Sequence, residues 1–390
     1  VTNVLYGNLL TGLIGGYIPF LTASLSCRLN APGTVEVTVD LNDDAVALLD
    51  LKNNAAPRQA YLAWEENDVV LEAGPISGHS FDVDTGQLTI TASGLWSWFD
   101  DRVALPTKAL SSPFFISDPN TFDTLIPNPA LDTVFTNTSY ANMYKGLVQQ
   151  AMQWPSGSLP ILFQPDDTGS SSLTVNGVDV QYVGDVLRDI NQLTNGPDLE
   201  FTPSRTSDRR SIQWTLRSGT TAKPDLGALN TFNWDLSVDS PRAESLKVDV
   251  DGSMRASRVW AIGGKSSDTA IIVSAADPTL TNTGFPIWER VLSDRNDISS
   301  ATLLQSYANE QVRLGKSTTE TWSFKVQANK SPKLGEYRVG DYAQLTIGKD
   351  NPYIPQGIYL RRILSMATDQ DALWVSITTG EVYSTNGAAV

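Results

Sequence analysis

The sequence predicts a mainly β protein with α+β insertions, built from two related small β-barrel domains plus mixed α/β segments. Three observations predict this. Six segments alternate apolar and polar residues with period two, the mark of strands with one face on a core and one in water. Helical spacing is confined to four short stretches. One pattern of strands, turns and glycines occurs twice.

The elements follow in chain order. Val1 to Ser26 is largely uncharged and apolar. It lacks a basic leader region, since the first basic residue is Arg28, and Gly12, Gly15, Gly16 and Pro19 would interrupt a signal helix. Ser24-Leu25-Ser26 before Cys27 is a poor lipobox. Val1 to Thr22 therefore reads as extended structure or a packing arm. Asn30-Ala31-Pro32-Gly33 is turn chemistry before the strand Thr34 to Val39. Asn42 to Leu51 is a short helix opened by Asn42. Tyr61 to Trp64 and Gln87 to Thr91 are strands, the second following the turn Asp84-Thr85-Gly86. Tyr140 to Trp154 places Met143, Leu147, Val148 and Met152 at helical spacing. A turn at Asn176-Gly177 precedes the helix Val183 to Asn195, with Val186, Ile190 and Leu193 on one face. Strands follow at Ser211 to Leu216, Glu244 to Val250 and Arg258 to Ile262, the last closed by a turn at Gly263-Gly264. Ile298 to Leu314 is a helix between the N-cap Asp297 and Gly315, and Thr321 to Val326 is a strand.

Boundaries show as polar or proline-rich patches. Pro106, Pro113, Pro119, Pro127 and Pro129 crowd one stretch, and Asp166 to Ser172 and Ser218 to Gly227 are polar. The division is 1–105, a first β-barrel domain with an N-terminal arm; 106–235, a mixed α/β domain; and 236–390, a second β-barrel domain with a helical insertion near 275–317. Ala60 to Gly94 matches Ala343 to Gly380. Each has a strand, a polar turn, Gly followed by Ile (Gly74-Pro75-Ile76, Gly357-Ile358), an acidic turn and an alternating strand before Gly. Each copy is preceded by a further strand, Thr34 to Val39 or Thr321 to Val326. Either two ordinary β meanders resemble each other here, or a small barrel has been duplicated.

Composition excludes several functions. The 390 residues are 41% hydrophobic and 18% charged, enough apolar material for packed cores. A single cysteine, Cys27, rules out an intrachain disulfide and CxxC sites. A single histidine, His79, rules out a multi-histidine cage and an HExxH helix. The net charge of −15 opposes stable nucleic-acid binding. No stretch approaches the ~20 apolar residues of a membrane span.

The chemistry-bearing residues each have a structural alternative. The acidic pairs Asp43-Asp44, Glu65-Glu66, Asp100-Asp101 and Asp166-Asp167, with ten Trp, raise the possibility of a sugar cleft. Glycoside cleavage needs two carboxyls about 5–10 Å apart across one bond. Sequence neighbours on a strand face opposite ways, so these pairs read as solvated turns. Trp64, Trp214, Trp322 and Trp374 lie in alternating strands and read as core or interface residues, and Leu95-Trp96-Ser97-Trp98-Phe99 as core or subunit interface. Asp249-Val250-Asp251-Gly252 lacks the rest of a calcium loop. Gly264-Lys265-Ser266 lacks the upstream glycine of a phosphate loop, that position being Val259. No GxSxG elbow accompanies His79, which reads as a strand or turn residue, and Cys27 reads as a small buried hydrophobe. The prediction is no enzyme, with no catalytic, cofactor-binding or metal-binding residue and no cofactor.

The chain resembles the minor tail proteins, or tail-tip hub proteins, of long-tailed, siphovirus-like actinobacterial phages. The matching residues are Asn8 to Gly12, Ile18-Pro19-Phe20, Cys27 to Gly33, Arg58 to Trp64, Gly74-Pro75-Ile76 and Asp101-Arg102. They continue with Asp185-Val186-Leu187, Pro197 to Phe201 and Gly335 to Asp341. More distantly it is similar to the baseplate-hub family of phage tails and contractile injection machines. The resemblance implies a structural homotrimer at the virion tail tip, with two related β-barrels per subunit. Six such units would adapt a six-fold tail tube to a three-fold tip and line part of the DNA ejection channel. Implied partners are a distal tail protein, the tape-measure protein and other tail-tip or receptor-binding proteins. DNA would pass an acidic lumen without stable binding, and no membrane is spanned. The chain stops at Thr385 to Val390, soon after the second barrel, with no appended hydrolase. The alternatives are a carbohydrate-binding or glycoside-cleaving tail protein acting on the host wall, and an adaptor from a contractile injection system.

Overall fold

The computed structural model describes residues 2–382 apart from 122–123, 228–229, 238–242, 267–268, 296–297, 299, 317–318 and 350. The chain opens with β1 (Thr2–Asn8), β2 (Ile14–Tyr17), β3 (Thr22–Arg28), β4 (Thr34–Asp40), α1 (Asp44–Ala47), α2 (Leu51–Asn54), β5 (Ala60–Glu66), β6 (Val69–Asp82), β7 (Gln87–Ser93) and α3 (Trp96–Phe99). A middle stretch carries β8 (Phe115–Ser117), β9 (Leu125–Pro127), β10 (Thr133–Thr138), α4 (Tyr140–Met152), β11 (Ile161–Phe163), β12 (Ser171–Val175), α5 (Val183–Asn191), β13 (Leu199–Arg205) and β14 (Ile212–Ser218). The last stretch holds β15 (Thr231–Asp235), β16 (Ala243–Asp251), β17 (Arg258–Ser266), β18 (Thr269–Ala276), α6 (Thr279–Asn282), β19 (Glu289–Arg295), α7 (Ala301–Leu314), β20 (Thr319–Gln327), β21 (Tyr342–Ile347), β22 (Gly357–Thr368) and β23 (Trp374–Gly380). The fold is mainly β with α+β insertions, as the alternation predicts.

The internal repeat appears as topology. The first copy orders its strands β3-β4-β7-β6-β5-β1, and the second β16-β20-β23-β22-β21-β15. In each, one long strand pairs with one neighbour through its first half and another through its second. β6 pairs with β5 over residues 69–75 and with β7 over 76–82. β22 pairs with β21 over 357–362 and with β23 over 362–368. A β-bulge interrupts both long strands at matching places, since the register slips between Ile76 and Gly78 and between Ile363 and Ser365. A bulge bends its strand and sharpens its twist, which lets one strand take a different neighbour along each half. This register corrects the sequence alignment in detail. Ile76 matches Ile363, and Gly74 matches Arg361 rather than Gly357. His79, opposite Ile90, matches Met366, opposite Ile377.

Neither copy is a closed barrel among the described residues, which corrects the barrel expectation. The hydrogen-bonded path runs open from β16 to β2 within one 13-stranded sheet. Both outer edges of the first copy are occupied, β3 by residues 365–367 of β22 and β1 by the hairpin partner β2. The N-terminal stretch is thus built into the sheet.

Three cores result. The largest joins Val35, Val37, Val39, Leu88 and Ile90 of the first copy to Trp322, Phe324, Val326, Val375 and Ile377 of the second. The next packs α4, α5, β13 and β14 against the outer side of β1, β5 and β6. The smallest lies under α7 on the β18-β17-β19 sheet. β5 was expected to be half-buried, yet all of Ala60–Glu66 is buried. Leu62 and Trp64 enter the first core, while Tyr61 and Ala63 enter the second.

The helices differ mainly at their ends. The expected helix over 42–51 is two single turns, the first capped by Asp43, whose carboxylate accepts from Ala45 N at 2.8 Å. The third expected helix ends at Asn191, although Leu193 is buried with Val186 and Ile190 as expected. α7 starts at Ala301 with Ser300 as its cap, and the expected cap Asp297 lies outside the described residues. Gly263 and Gly264 fall inside β17, where the register slips, and not in a turn.

Trp214 ties the second core to β6. It is 0% exposed, its Nε1–H donates to Ala73 O at 2.9 Å, and its ring meets Tyr61 edge-on at 5.8 Å. Trp214→Ala is expected to cost about 3–5 kcal/mol in urea unfolding through the cavity left between β14 and β5.

Candidate functional site

The carboxylates that raised the sugar-cleft possibility are scattered and tied. Asp43 caps α1. Glu65 and Glu66 are buried in a strand and are not turn residues. Glu65 pairs with Arg205 and accepts from Asn3 Nδ2 at 3.2 Å, and Glu66 accepts from Thr2 Oγ1 at 2.5 Å. Asp100 pairs with Arg188 at 2.8 Å, Asp101 with Arg58 at 2.7 Å and Asp166 with Lys145 at 2.7 Å. Asp167 accepts from Thr221 N at 2.8 Å. Among the described residues no three His, Cys, Asp or Glu side chains converge as a metal site. Asp251 accepts from Ser253 N at 2.8 Å, closing a local turn that holds its carboxyl below the usual range.

Trp64, Trp214 and Trp322 of the alternating strands are core residues, Trp96 of α3 is buried as well, and Trp374 is half-buried. Trp98 borders a cavity of about 390 Å³ with Arg58, Ser77 and Arg102. The Arg102 guanidinium lies 5.1 Å over the Trp98 ring and Phe99 meets it edge-on at 4.9 Å, which occupies the ring against sugar stacking. His79 lies in β6 with its Nε2 2.6 Å from Ala55 O, and Cys27 is buried, its thiol pushed up by burial and then by Glu72.

The polar groups gather instead where the copies meet the middle stretch. Arg362 of β22 pairs with Asp198 and donates to Leu226 O at 2.6 Å and Asp225 Oδ1 at 3.2 Å. Asp198 also accepts from Asn30 Nδ2 at 2.7 Å and Leu226 N at 2.8 Å. Asn30 Oδ1 in turn accepts from Leu199 N at 2.9 Å. One buried cluster thus ties the β3–β4 turn, the start of β13 and the second copy. Nothing in the sequence distinguishes Arg362 from the other arginines. The Cys27-to-Gly33 and Pro197-to-Phe201 stretches, which hold Asn30 and Asp198, are the sequence features that meet here.

Glu72 of β6 stands beside it. Its carboxyl is wedged between Gly33 and Gly94, accepts from Ala73 N at 3.0 Å and from Gly33 N, and lines a cavity of about 30 Å³ with Cys27, Glu200 and Arg338. That volume suits a water molecule and not a ligand. Burial pushes the carboxyl up to about 8 against the two backbone donors, with Glu200 adding to the rise.

Two outcomes follow. Among the described residues, Asp198→Ala removes the buried one of Arg362's two carboxylate partners and leaves only the exposed Asp225 at 3.2 Å, so it should cost about 1.5–3 kcal/mol in denaturant unfolding, part of it recovered by adding Arg362→Met. The folded Glu72 holds its proton above the unfolded value of 4.5, so its contribution is full below pH 4.5 and is lost as pH rises toward 8. Stability should fall by up to about 1.4 kcal/mol per pH unit in that window, and Glu72→Gln should flatten the profile.

No protein-family profile matches the chain, and no curated protein matches it. Among solved structures, a tail protein from Neisseria meningitidis MC58 is similar over 97% of this chain and 96% of its own, at 11% identity and a TM-score of 0.57. The 43 kDa tail protein of prophage MuSo2 from Shewanella oneidensis is similar over 97% and 98%, at 10% identity and a TM-score of 0.52. Across nearly its whole length, the chain has the fold of these tail proteins.

Proposed function

We propose that the chain is a structural tail-tip, or baseplate, hub protein of a bacteriophage, located in the virion. Three copies form a ring that adapts a six-fold tail tube to a three-fold tip and lines part of the DNA ejection channel. The observation that carries this reading is the duplication, in which one chain supplies two units that match over five antiparallel strands with the bulge at the same place, the sixth strand running antiparallel in the first (β1) and parallel in the second (β15). Three chains then present six similar units, which is what docking a three-fold ring on a six-fold tube requires. The fold shared with two tail proteins supports it. In this reading the units 1–105 and 236–390 form the ring, the second completed by β15 from the end of 106–235, and the rest of 106–235 braces it. The partners are its own copies, a distal tail protein, the tape-measure protein and other tail-tip or receptor-binding proteins.

The net charge of −15 suits a conduit, because a negative lumen repels phosphate and lets DNA pass without adhering. A non-enzymatic role is consistent with carboxylates engaged in structural pairs. The experiment is electron microscopy and mass analysis of purified particles, which should reveal a three-fold ring of this chain adjoining the tube. Absence from purified virions overturns the reading. A glycan array with a wall-hydrolysis assay tests the carbohydrate alternative, and the expected result is neither binding nor cleavage.

A further inference from the structure

One joint links the two copies inside the chain. β3, an edge of the first copy, pairs antiparallel with β22 of the second: Arg28 opposite Ser365, Cys27 opposite Met366 and Ser26 opposite Ala367. Cys27 and Met366 are 4% and 2% exposed there. Leu29 N extends the joint by donating to Leu364 O at 2.9 Å.

The duplication supplies the counterparts of both partners. Leu25 lies opposite Val35 and Val248 opposite Trp322, and Val35 and Trp322 occupy equal places beside β7 and β23. Two residues further on, Val250 of β16 corresponds to Cys27. His79 of β6 corresponds to Met366. Among the described residues, β16 pairs only with β20, and residues 78–82 of β6 pair only with β7. The matching surface is open where the internal joint is covered. Val250, on the side of β16 that carries Leu246 and Val248 toward the core, is 46% exposed, and Phe81 is 51% exposed. The cavity of about 390 Å³ lies beside Ile76 and Ser77, while the corresponding place beside Leu364 receives Leu29.

We infer that β16 of one chain pairs antiparallel with residues 78–80 of β6 in a second copy, repeating between chains the joint that β3 and β22 make within each. The pairs are Asp251 opposite Gly78, Val250 opposite His79 and Asp249 opposite Ser80. The turn after β16 enters the cavity beside Ser77. The contact is head-to-tail, so each chain donates one edge and receives another, and a ring results when the rotation closes. The charges of Lys247, Asp249 and Asp251 point away from the apolar side of the strand and stay in water. The inference rests on the ring proposed above and names its interface.

Three variants of the purified full chain test it. Met366→Cys beside native Cys27 reports the internal joint. His79→Cys with Val250→Cys, in a Cys27→Ala background, reports the joint between chains. Under mild oxidation the first should give an intrachain bond and the second covalent oligomers ending in a closed ring on a non-reducing gel. Val250→Asp, at a position exposed in the separate chain, should weaken self-association by about tenfold or more in sedimentation while leaving the unfolding midpoint unchanged. The joint is overturned if the internal pair links and the external pair does not, or if the oligomer tolerates Val250→Asp. It is also overturned if the chain stays monomeric up to roughly 1 mM, the weak end of association. The hub reading stands or falls separately, on whether virions contain the chain.

Discussion

The rest of the structure depends on a layer of strands buried on both faces. β1, β5 and β6 send alternate residues into two cores: Val4, Tyr6, Leu62, Trp64 and Leu71 to one side, and Leu5, Tyr61, Ala63, Val70 and Ala73 to the other. A one-residue slip here would exchange both sets at once, so the two cores fix each other's register. The layer is also tightly spaced. A Cβ on Gly74 would stand 1.9 Å from Ser93 O, and one on Gly7 would stand 2.2 Å from Leu13 O. These glycines let neighbouring backbone approach where a side chain would hold it off.

The seams follow a different rule from the cores. Each carries an arginine paired with a carboxylate from another element: Arg205 with Glu65, Arg362 with Asp198, and Arg188 with Asp100. The first two are buried, and ion pairs of that kind add little net stability over apolar packing, but misplacing either charge is costly; Arg188 and Asp100 are half-buried. They therefore specify how the middle stretch sits on the two copies more than how firmly. The aromatic ring pairs of the second core, such as Phe99 stacked on Phe201 at 4.9 Å, supply cohesion beside them.

The sequence revealed the parts of this arrangement that have local causes. Period-two alternation located β4, β7, β14, β16 and β20, and helical spacing located α4 and α5, because in each one face meets one core. It misread β5, since a strand covered on both sides loses its contrast with water. It placed Glu65 and Glu66 in solvent for a related reason: partners as distant as Arg205 leave no trace in the local pattern. The repeat was visible, but its alignment was wrong, because glycines were matched where the structure matches bulges. That the sheet stays open could not be read either, since it follows from β22 taking the edge of β3, a contact between residues more than 300 apart in sequence.

That contact also sets an order of events during synthesis. Leu25 N reaches the Thr368 hydroxyl at 2.9 Å, and the two residues are 343 apart in sequence. At about 5–20 residues per second, the first copy waits roughly twenty seconds to a minute on the ribosome before its β3 edge is covered. Over that interval an open strand faces a crowded cytoplasm, the situation in which strand edges recruit unrelated chains. Serines at positions 24 and 26 and Arg28 alternate with the apolar residues of that edge and keep its outer side wetted. The first copy is thereby finished only once residues 365–368 have been made, so a product truncated before them carries an uncovered edge.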